Sequence, residues 1–281
     1  MDSQFNHKIT RFPTLFFLTA LISLLSTLNL TAQRRLLVLS WNVESGGNDK
    51  HTIVKRLADF EGYDIYGLTE VRASNFQIYA DAAAAGEGSK NSDDPDFQFV
   101  SGTTGGADRM MIIYDNKRFE KIGDAVELDN LNQGGHRAPL FCKFKFRGTD
   151  IEFIVMVNHL ARGNENLRNT QATGLAEWAE DQTVPVIALG DYNFDYDIDE
   201  GVGNTGFENM KAGNHWTWLK PDRLYQTQLS PKFHSVLDFI YTAKMPNTWV
   251  GSSRILISHP SVDNDLESDH RPIEGHFYIT E

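Results

Sequence analysis

Beyond residue 33 the chain alternates between short apolar runs and longer stretches whose apolar residues recur at helical spacing. The short runs are RLLVLSWNV, YDIYGLTEV, RMMIIYD, PLFCKFKF, IEFIVMVNHL, VPVIALGDYN, SVLDFIYTA and PIEGHFYI, and each reads as a strand. Helical spacing marks residues 49–60, where Ile53, Val54, Leu57 and Ala58 share a face, and residues 164–180, where Leu167, Leu175, Trp178 and Ala179 do. A third helix is predicted near residues 74–84. Many strands with a few helices between them predict an α/β sandwich. No stretch rich in Pro, Gly or Ser divides residues 33–281, which read as one domain.

The first 32 residues follow a different pattern. Lys8 and Arg11 precede the uncharged run LFFLTALISLLSTLNLTA, which ends in small residues before Gln33, the layout of a secretory leader cut after Ala32. An uncleaved membrane anchor is the competing reading, because a run of about 18 residues is near the lower limit for spanning a bilayer. Thr19, Ser23, Thr27 and Asn29 dilute the run and favour the leader, although Leu30 fits poorly at the third position before the cut. The expectation is an exported protein, secreted or periplasmic, with no stable membrane insertion after cleavage.

Composition narrows the partners. The 281 residues are 41% hydrophobic and 23% charged, with a formal net charge of −12, and loss of Lys8, Arg11 and Asp2 with the leader makes the remainder more acidic by one charge. Such a balance opposes broad electrostatic attachment to nucleic acid or anionic lipid, so a phosphate ligand needs local help such as a metal ion. Cys142 is the one cysteine, which excludes an intramolecular disulfide and reads as a core thiol.

The polar residues that end the strands carry the chemistry. LLVLSWN ends at Asn42, DIYGLTE at Glu70, IEFIVMVNH at His159, and VPVIALGDYN at Asp191 and Asn193. In α/β sheets that edge is where ligands bind, because strand ends from distant parts of the chain converge there. The competing reading is that polar residues merely mark where burial stops.

Taken in order, SWNV, LTEV, HRAPL, NHL, GDYN, LDFIY and SDHRPI resemble the endonuclease/exonuclease/phosphatase superfamily, the deoxyribonuclease-I-like proteins, over about residues 35–279. The resemblance implies a four-layered α/β sandwich, two packed mixed β-sheets flanked by helices, and hydrolysis of phosphate esters with a divalent metal, Mg²⁺ first and Mn²⁺ or Ca²⁺ as alternatives. It implies that Glu70 ligates the metal, with Asn42 and Asp269 completing or supporting the shell, and carboxylate oxygens are the hard donors Mg²⁺ prefers. By the same resemblance His270 acts as base, Asp191 and Asn193 position the attacking water and a phosphate oxygen, and His159 hydrogen-bonds the phosphate or serves as acid. Arg137 matches a phosphate-binding arginine, whose planar fork suits phosphate. Arg109 is a further substrate contact, near a family position where a tyrosine often touches phosphate; here Met110 occupies the nearest slot.

An imidazole acting as base needs its other nitrogen held, so a buried acid is expected near His270. Asp238 is the candidate: a lone aspartate inside the apolar run SVLDFIY is costly unless partnered, the alternative being a strand aspartate turned to solvent.

Other motifs fail in context. GVGNTG matches a dinucleotide fingerprint by letter but follows an acidic loop rather than a strand. DYNFDYDIDEGV begins like a calcium loop, yet Tyr196 stands where Gly is required and Val202 where a bidentate Glu is, leaving a looser Ca²⁺ site at Asp195, Asp197 and Asp199 or a solvated acidic turn. Trp216 and Trp218 could line a substrate rim or belong to the core, the latter being favoured. No GxSxG serine elbow occurs.

The function expected is a metal-dependent phosphoesterase, first a nuclease of DNA or RNA on the strength of Arg137 and His159. The alternatives are a phosphatase or phospholipase-type phosphodiesterase of the inositol phosphate or sphingomyelin class, or a binding protein that has lost catalysis. The complete set of Glu70, His159, Asp191, Asn193, Asp238, Asp269 and His270 opposes the last reading.

Overall fold

The computed structural model describes residues 33–47, 49–88, 96–133, 135–257 and 267–280; the expected leader and its cut after Ala32 lie outside them. The described strands form two six-stranded sheets. The first has the order β11 (Trp249–Ile255), β12 (Ile273–Ile279), β1 (Arg34–Asn42), β2 (Ile65–Val71), β4 (Arg109–Asp115), β3 (Phe97–Ser101). The second has the order β5 (Phe119–Glu127), β6 (Leu140–Phe146), β7 (Glu152–His159), β8 (Val186–Asp197), β10 (Ser235–Ala243), β9 (Thr217–Trp218).

Each sheet contains one parallel pair, β1 with β2 and β7 with β8, in otherwise antiparallel pairing. Parallel neighbours need a long crossover. Helix α1 (Lys50–Asp59) supplies it for the first pair and α3 (Glu165–Glu180) for the second, while α2 (Phe76–Gly88) leads from β2 to β3 and the short α4 (Thr205–Met210) follows β8. Asp49 caps α1 by accepting from His51 N, and Asn164 caps α3 by accepting from Leu167 N.

Strand β1 shows how the sequence makes the layers. Leu36 and Val38 face the second sheet and pack in one core with Val157, Leu189 and Ile240, whereas Leu37, Leu39 and Trp41 face the other way, onto Ile53, Leu57 and Ala83 of α1 and α2. A strand buried on both faces reads as a continuous apolar run. The sheets approach closely at Gly67, where an added Cβ would lie 2.8 Å from Leu189 Cδ1. On the far side of the second sheet, Leu175, Ala176 and Ala179 of α3 are buried, completing a four-layered sandwich.

All eight strands read from apolar runs are present. The four missed, β3, β5, β9 and β11, are the four sheet edges. In β5, FEKIGDAVE, eight of the nine residues are at least partly exposed, so its charged side chains hide it from a search for apolar runs. Cys142 is buried in β6, and burial pushes its thiol up to about 11. Among the described residues no helix is long and apolar enough to cross a membrane.

Trp216 is a core residue, 4% exposed, with Nε1 donating to Leu175 O, and Trp218 packs against Tyr196, Phe207 and Phe239. The acidic loop forms a turn in which Asp197 Oδ1 accepts from the backbone of Asp199 and Glu200. Asp195 accepts from Ser235 and Asp199 pairs with His234, so these three acids are used separately rather than gathered into a Ca²⁺ site.

Candidate active site

Strand register brings the first group of residues together. Across the parallel β7–β8 pair His159 lies opposite Asp191, and across the antiparallel β8–β10 pair Asp238 lies opposite Asp191. The ladder slips between Val236 and Asp238, a bulge next to Gly190. That glycine has φ +133° and an added Cβ would meet Asn158 O at 2.0 Å, so no other residue fits there without moving the strand. Just beyond it, Asn193 holds φ +52°, donates its backbone N–H to Asp191 Oδ1 (2.9 Å) and its side-chain amide to Leu160 O (3.2 Å). Non-glycine residues rarely take such angles, and they cluster where function needs a re-aimed side chain.

The first sheet supplies the second group. Asn42 ends β1, and the β2–β4 ladder slips between Leu68 and Val71, with Glu70 at φ +56° inside the slip. Asn42 Nδ2 donates to Glu70 Oε1 (3.0 Å) and Asp191 Oδ2 (3.1 Å), joining the two sheets, while its Oδ1 accepts from Glu44 N (3.0 Å). Asn42 thus holds the two carboxylates together as a donor, while its amide oxygen, with one lone pair taken by Glu44 N, keeps a second one.

The third group is the segment entering β12. Ser268 Oγ donates to Asn42 O (2.6 Å) and accepts from His270 N (3.1 Å), and Trp41 Nε1 donates to His270 O (2.9 Å). Arg56 of α1 grips the buried Glu267 with Nε and Nη2 at 2.6 and 2.5 Å. So anchored, His270 sets Nδ1 2.7 Å from Asp238 Oδ2, and Nε2 3.9 Å from Asp191 Oδ2 and 3.8 Å from Asp269 Oδ1. Asp269 Oδ2 accepts from Gln228 Nε2 (2.9 Å).

Arg137 donates from Nε and Nη2 to the carbonyls of His159 and Leu160, both at 3.2 Å, which places its guanidinium beside the cluster. Arg109 is not brought in: its backbone is in register with Val71, beside Glu70, but its Nε donates to Gly106 O (3.1 Å) in the preceding loop. Glu44 and Asp108 were not anticipated. Glu44 Oε2 accepts from Asp269 N (2.9 Å), and Asp108 Oδ1 accepts from Ser45 Oγ (2.5 Å). Both sit in loops, where no apolar run points to them.

The charge balance is uneven. Burial raises Glu70, and Asp108 raises it further; burial and then Asp269 raise Glu44; burial and the facing Asp238 raise Asp191. Burial alone would lower His270, but the Asp238 carboxylate and its hydrogen bond, then Asp191 and Asp269, outweigh it and bring the imidazole to about 10. His159 goes the opposite way, well below its ordinary value, through burial and the nearby Arg137, His270, Arg162 and His136. It is a neutral imidazole with Nε2 3.6 Å from Asp191 and 3.8 Å from Glu70, and Nδ1 is buried without a partner. Burial also lowers Arg137.

Crowded carboxylates with raised proton affinity are the donor chemistry of a hard divalent cation. Asp191, Asp238 and His270 bring ligand atoms within 4.8 Å of one another, but Asp238 Oδ2 is taken by His270 Nδ1, so that trio is better suited to holding a proton. Glu70, Asp269 and Glu44 are the other carboxylates beside the trio, Glu70 joined to Asp191 through Asn42 and Glu44 to the Asp269 backbone.

The sequence model of the Endonuclease/Exonuclease/phosphatase family matches residues 39–270, from the middle of β1 to His270. The chain belongs to this family. Among solved structures, an endonuclease/exonuclease/phosphatase family protein from Bacteroides thetaiotaomicron superposes with a TM-score of 0.67 at 15% identity, over 89% of this chain and all of that one (100%). A mannosyl-6-phosphatase from the same species gives 0.64 at 16% identity, over 86% and 99% of the two chains. TDP2 from D. rerio, complexed with a single-strand DNA product, gives 0.65 at 15% identity, over 86% and 98%. At these identities the likeness is one of fold. No curated protein matches the sequence significantly. For this member of the endonuclease/exonuclease/phosphatase family, the polar cluster lies where strand ends from both sheets meet.

Proposed function

We propose that the protein is an exported, metal-dependent phosphoesterase whose first substrates are phosphodiesters of DNA or RNA. The observation that carries the reading is the buried Asp238–His270 pair at 2.7 Å, with the second imidazole nitrogen turned toward the Asp191 and Asp269 carboxylates. Such a pair fixes the tautomer and leaves Nε2 as the nitrogen that can exchange a proton with a water.

Glu70 and Asp269 would hold a divalent cation, Mg²⁺ first, with Glu44 beside them and Asn42 steadying Glu70. When bound, such a cation supplies positive charge that offsets the phosphate and the surrounding carboxylates. The chain's own residues do the rest. His270 accepts the proton of the attacking water at Nε2 while Asp238 holds Nδ1–H; as the water oxygen bonds to phosphorus, the ester P–O bond breaks and the departing alcohol oxygen takes a proton from solvent. Asp191 orients that water, its Oδ1 fixed by Asn193 N. The neutral His159 donates a hydrogen bond to a phosphate oxygen, joined by the Asn193 amide and by Arg137. Offsetting the carboxylate charge lowers the proton affinity of His270 toward the neutral form that this role requires.

A second reading, a phosphatase acting on a sugar phosphate or another small phosphoester, is favoured by the net charge of −12 and by the fold likeness to a mannosyl-6-phosphatase. A substrate panel tests both. Protein lacking residues 1–32 is incubated with plasmid DNA, RNA, mannose 6-phosphate, an inositol phosphate and sphingomyelin, with Mg²⁺ or with EDTA. Hydrolysis of nucleic acid, abolished by EDTA and by His270→Ala, is expected; hydrolysis of a monoester alone supports the second reading. Folded protein that turns over none of them contradicts both.

A further inference from the structure

Beyond the catalytic cluster, on the far side of Asn193, lies a pocket of about 250 Å³ lined by Arg162, Arg168, Asn193, Asp195, Phe233 and Leu237. Burial separates its floor from its rim. Arg168, Asn193 and Leu237 are each 6–7% exposed and form the floor; Arg162, Asp195 and Phe233 are exposed and form the rim.

Arg168 sits at the start of α3, and its Nη1 donates to the carbonyls of Ala161 and Arg162, both at 3.0 Å. Among the described residues it has no carboxylate partner, its Nε is buried without any partner, and none of its bonds uses Nη2. A buried guanidinium that meets only two carbonyls is costly, and an anion entering the pocket would relieve that cost. Arg162 has no side-chain partner among the described residues either. Asp195 opposes the two cations from the rim, where its Oδ1 accepts from Ser235 Oγ (3.3 Å). Two guanidinium groups against one carboxylate is a local reversal of sign in a chain of net charge −12.

The pocket and the catalytic cluster share a wall. Asn193 lines the pocket and donates to Leu160 O, which also accepts from Arg137 Nη2, and Arg162 of the pocket follows His159 by three residues. Asn193 is common to both, and Arg162 is near enough to His159 to act on its imidazole, so a substrate whose reacting phosphate lies among His159, Asn193 and Arg137 would set a neighbouring phosphate toward this pocket.

We propose that the pocket is a subsite for a second phosphate of the substrate, held by Arg162 and Arg168. The inference rests on the phosphoesterase reading and sharpens it: the enzyme prefers substrates that carry two phosphates over those that carry one. Guanidinium forks suit phosphate oxygens bidentately, and the exposed Phe233 offers the sugar or base between the phosphates an apolar face. That second phosphate has two sources, the next nucleotide of a nucleic acid or the other phosphate of a sugar bisphosphate.

Two matched pairs distinguish the sources, both assayed with Mg²⁺: thymidine 5′-(p-nitrophenyl phosphate) with and without a 3′-phosphate, and glucose 1,6-bisphosphate against glucose 6-phosphate. For at least one pair the doubly phosphorylated member is expected to have kcat/KM higher by about tenfold or more, the worth of one charge-assisted hydrogen bond. Arg162→Ala should remove most of that ratio. Arg168→Lys, which keeps a donor for the Ala161 carbonyl, should reduce it. Preference in the first pair identifies the nucleic-acid source and in the second the sugar source. Active enzyme with no preference in either pair, or a preference untouched by Arg162→Ala, overturns the proposal. Independently of turnover, calorimetry in EDTA with thymidine 3′,5′-bisphosphate should give wild-type binding that Arg162→Ala weakens about tenfold. Equal affinity in the two proteins, or no binding by the wild type, overturns the subsite. Absence of turnover on every substrate overturns the phosphoesterase reading alone.

Discussion

Replacing Asp238 by asparagine removes one charge and almost no volume at the point where β10 supports His270. The two side chains are buried and 2.7 Å apart. Unit charges about 4 Å apart at an effective dielectric of about 20 interact by about 4 kcal/mol, worth about three pH units of proton affinity. That accounts for most of the rise of His270 from 6.5 to about 10. Since the imidazole binds its proton more tightly in the folded than in the unfolded chain, its contribution to stability is complete below about pH 6.5 and is lost as pH rises through about 10. In metal-free protein, urea unfolding should therefore show stability falling by about 4 kcal/mol between pH 6.5 and 10 from this group, and Asp238→Asn should flatten that slope. With Mg²⁺ and a chromogenic phosphodiester, the same variant should lose about 10²- to 10⁴-fold in kcat, the range for a misdirected proton-transfer group. A folded Asp238→Asn protein with wild-type kcat, or with the wild-type pH slope, would refute the reasoning.

Further outcomes follow from other parts of the site. Glu70→Gln should raise the Mg²⁺ concentration needed for half-maximal hydrolysis and cut activity at least about 100-fold, while raising stability in EDTA by about 1 kcal/mol, because a buried charge crowded by Asp108 is removed; denaturation with and without metal checks both signs. Glu267→Gln should cost about 3 kcal/mol by leaving Arg56 without its bidentate partner, read as a lower urea midpoint, and activity should fall with it because the Ser268–His270 segment loses its anchor. Gly190→Ala should cost at least about 2 kcal/mol, because its Cβ cannot coexist with Asn158 O; thermal melting with the wild-type transition would contradict the bulge.

The sequence made the interior of the fold legible and left its margins hidden. β1, β2, β7, β8 and β10 are buried on both faces, so each is written as an unbroken apolar run, and the two crossover helices carry helical spacing. The edge strands are half wet, and a run such as WVGSSRI carries too few apolar residues to be recognised. The same contrast holds at the candidate site. Residues that end interior strands, Asn42, Glu70, His159 and Asp191, could be picked out because a polar side chain closing an apolar run is conspicuous. Glu44, Asp108 and the Arg56–Glu267 pair depend on loops folding back over long sequence distances, 211 residues in the last case, and no local pattern encodes that. Asn42 shows a finer limit: residue type does not reveal that its amide bridges Glu70 of one sheet and Asp191 of the other.

The most direct test measures hydrolysis of bis-p-nitrophenyl phosphate during titration with Mg²⁺ by the wild-type protein and by His270→Ala, each verified as folded. If the strand ends of both sheets build one phosphoesterase centre, the wild type turns over with saturable metal dependence and the variant is slower by at least about 10²-fold. Equal rates in the two proteins, or a wild-type rate indifferent to Mg²⁺ and EDTA, would contradict it.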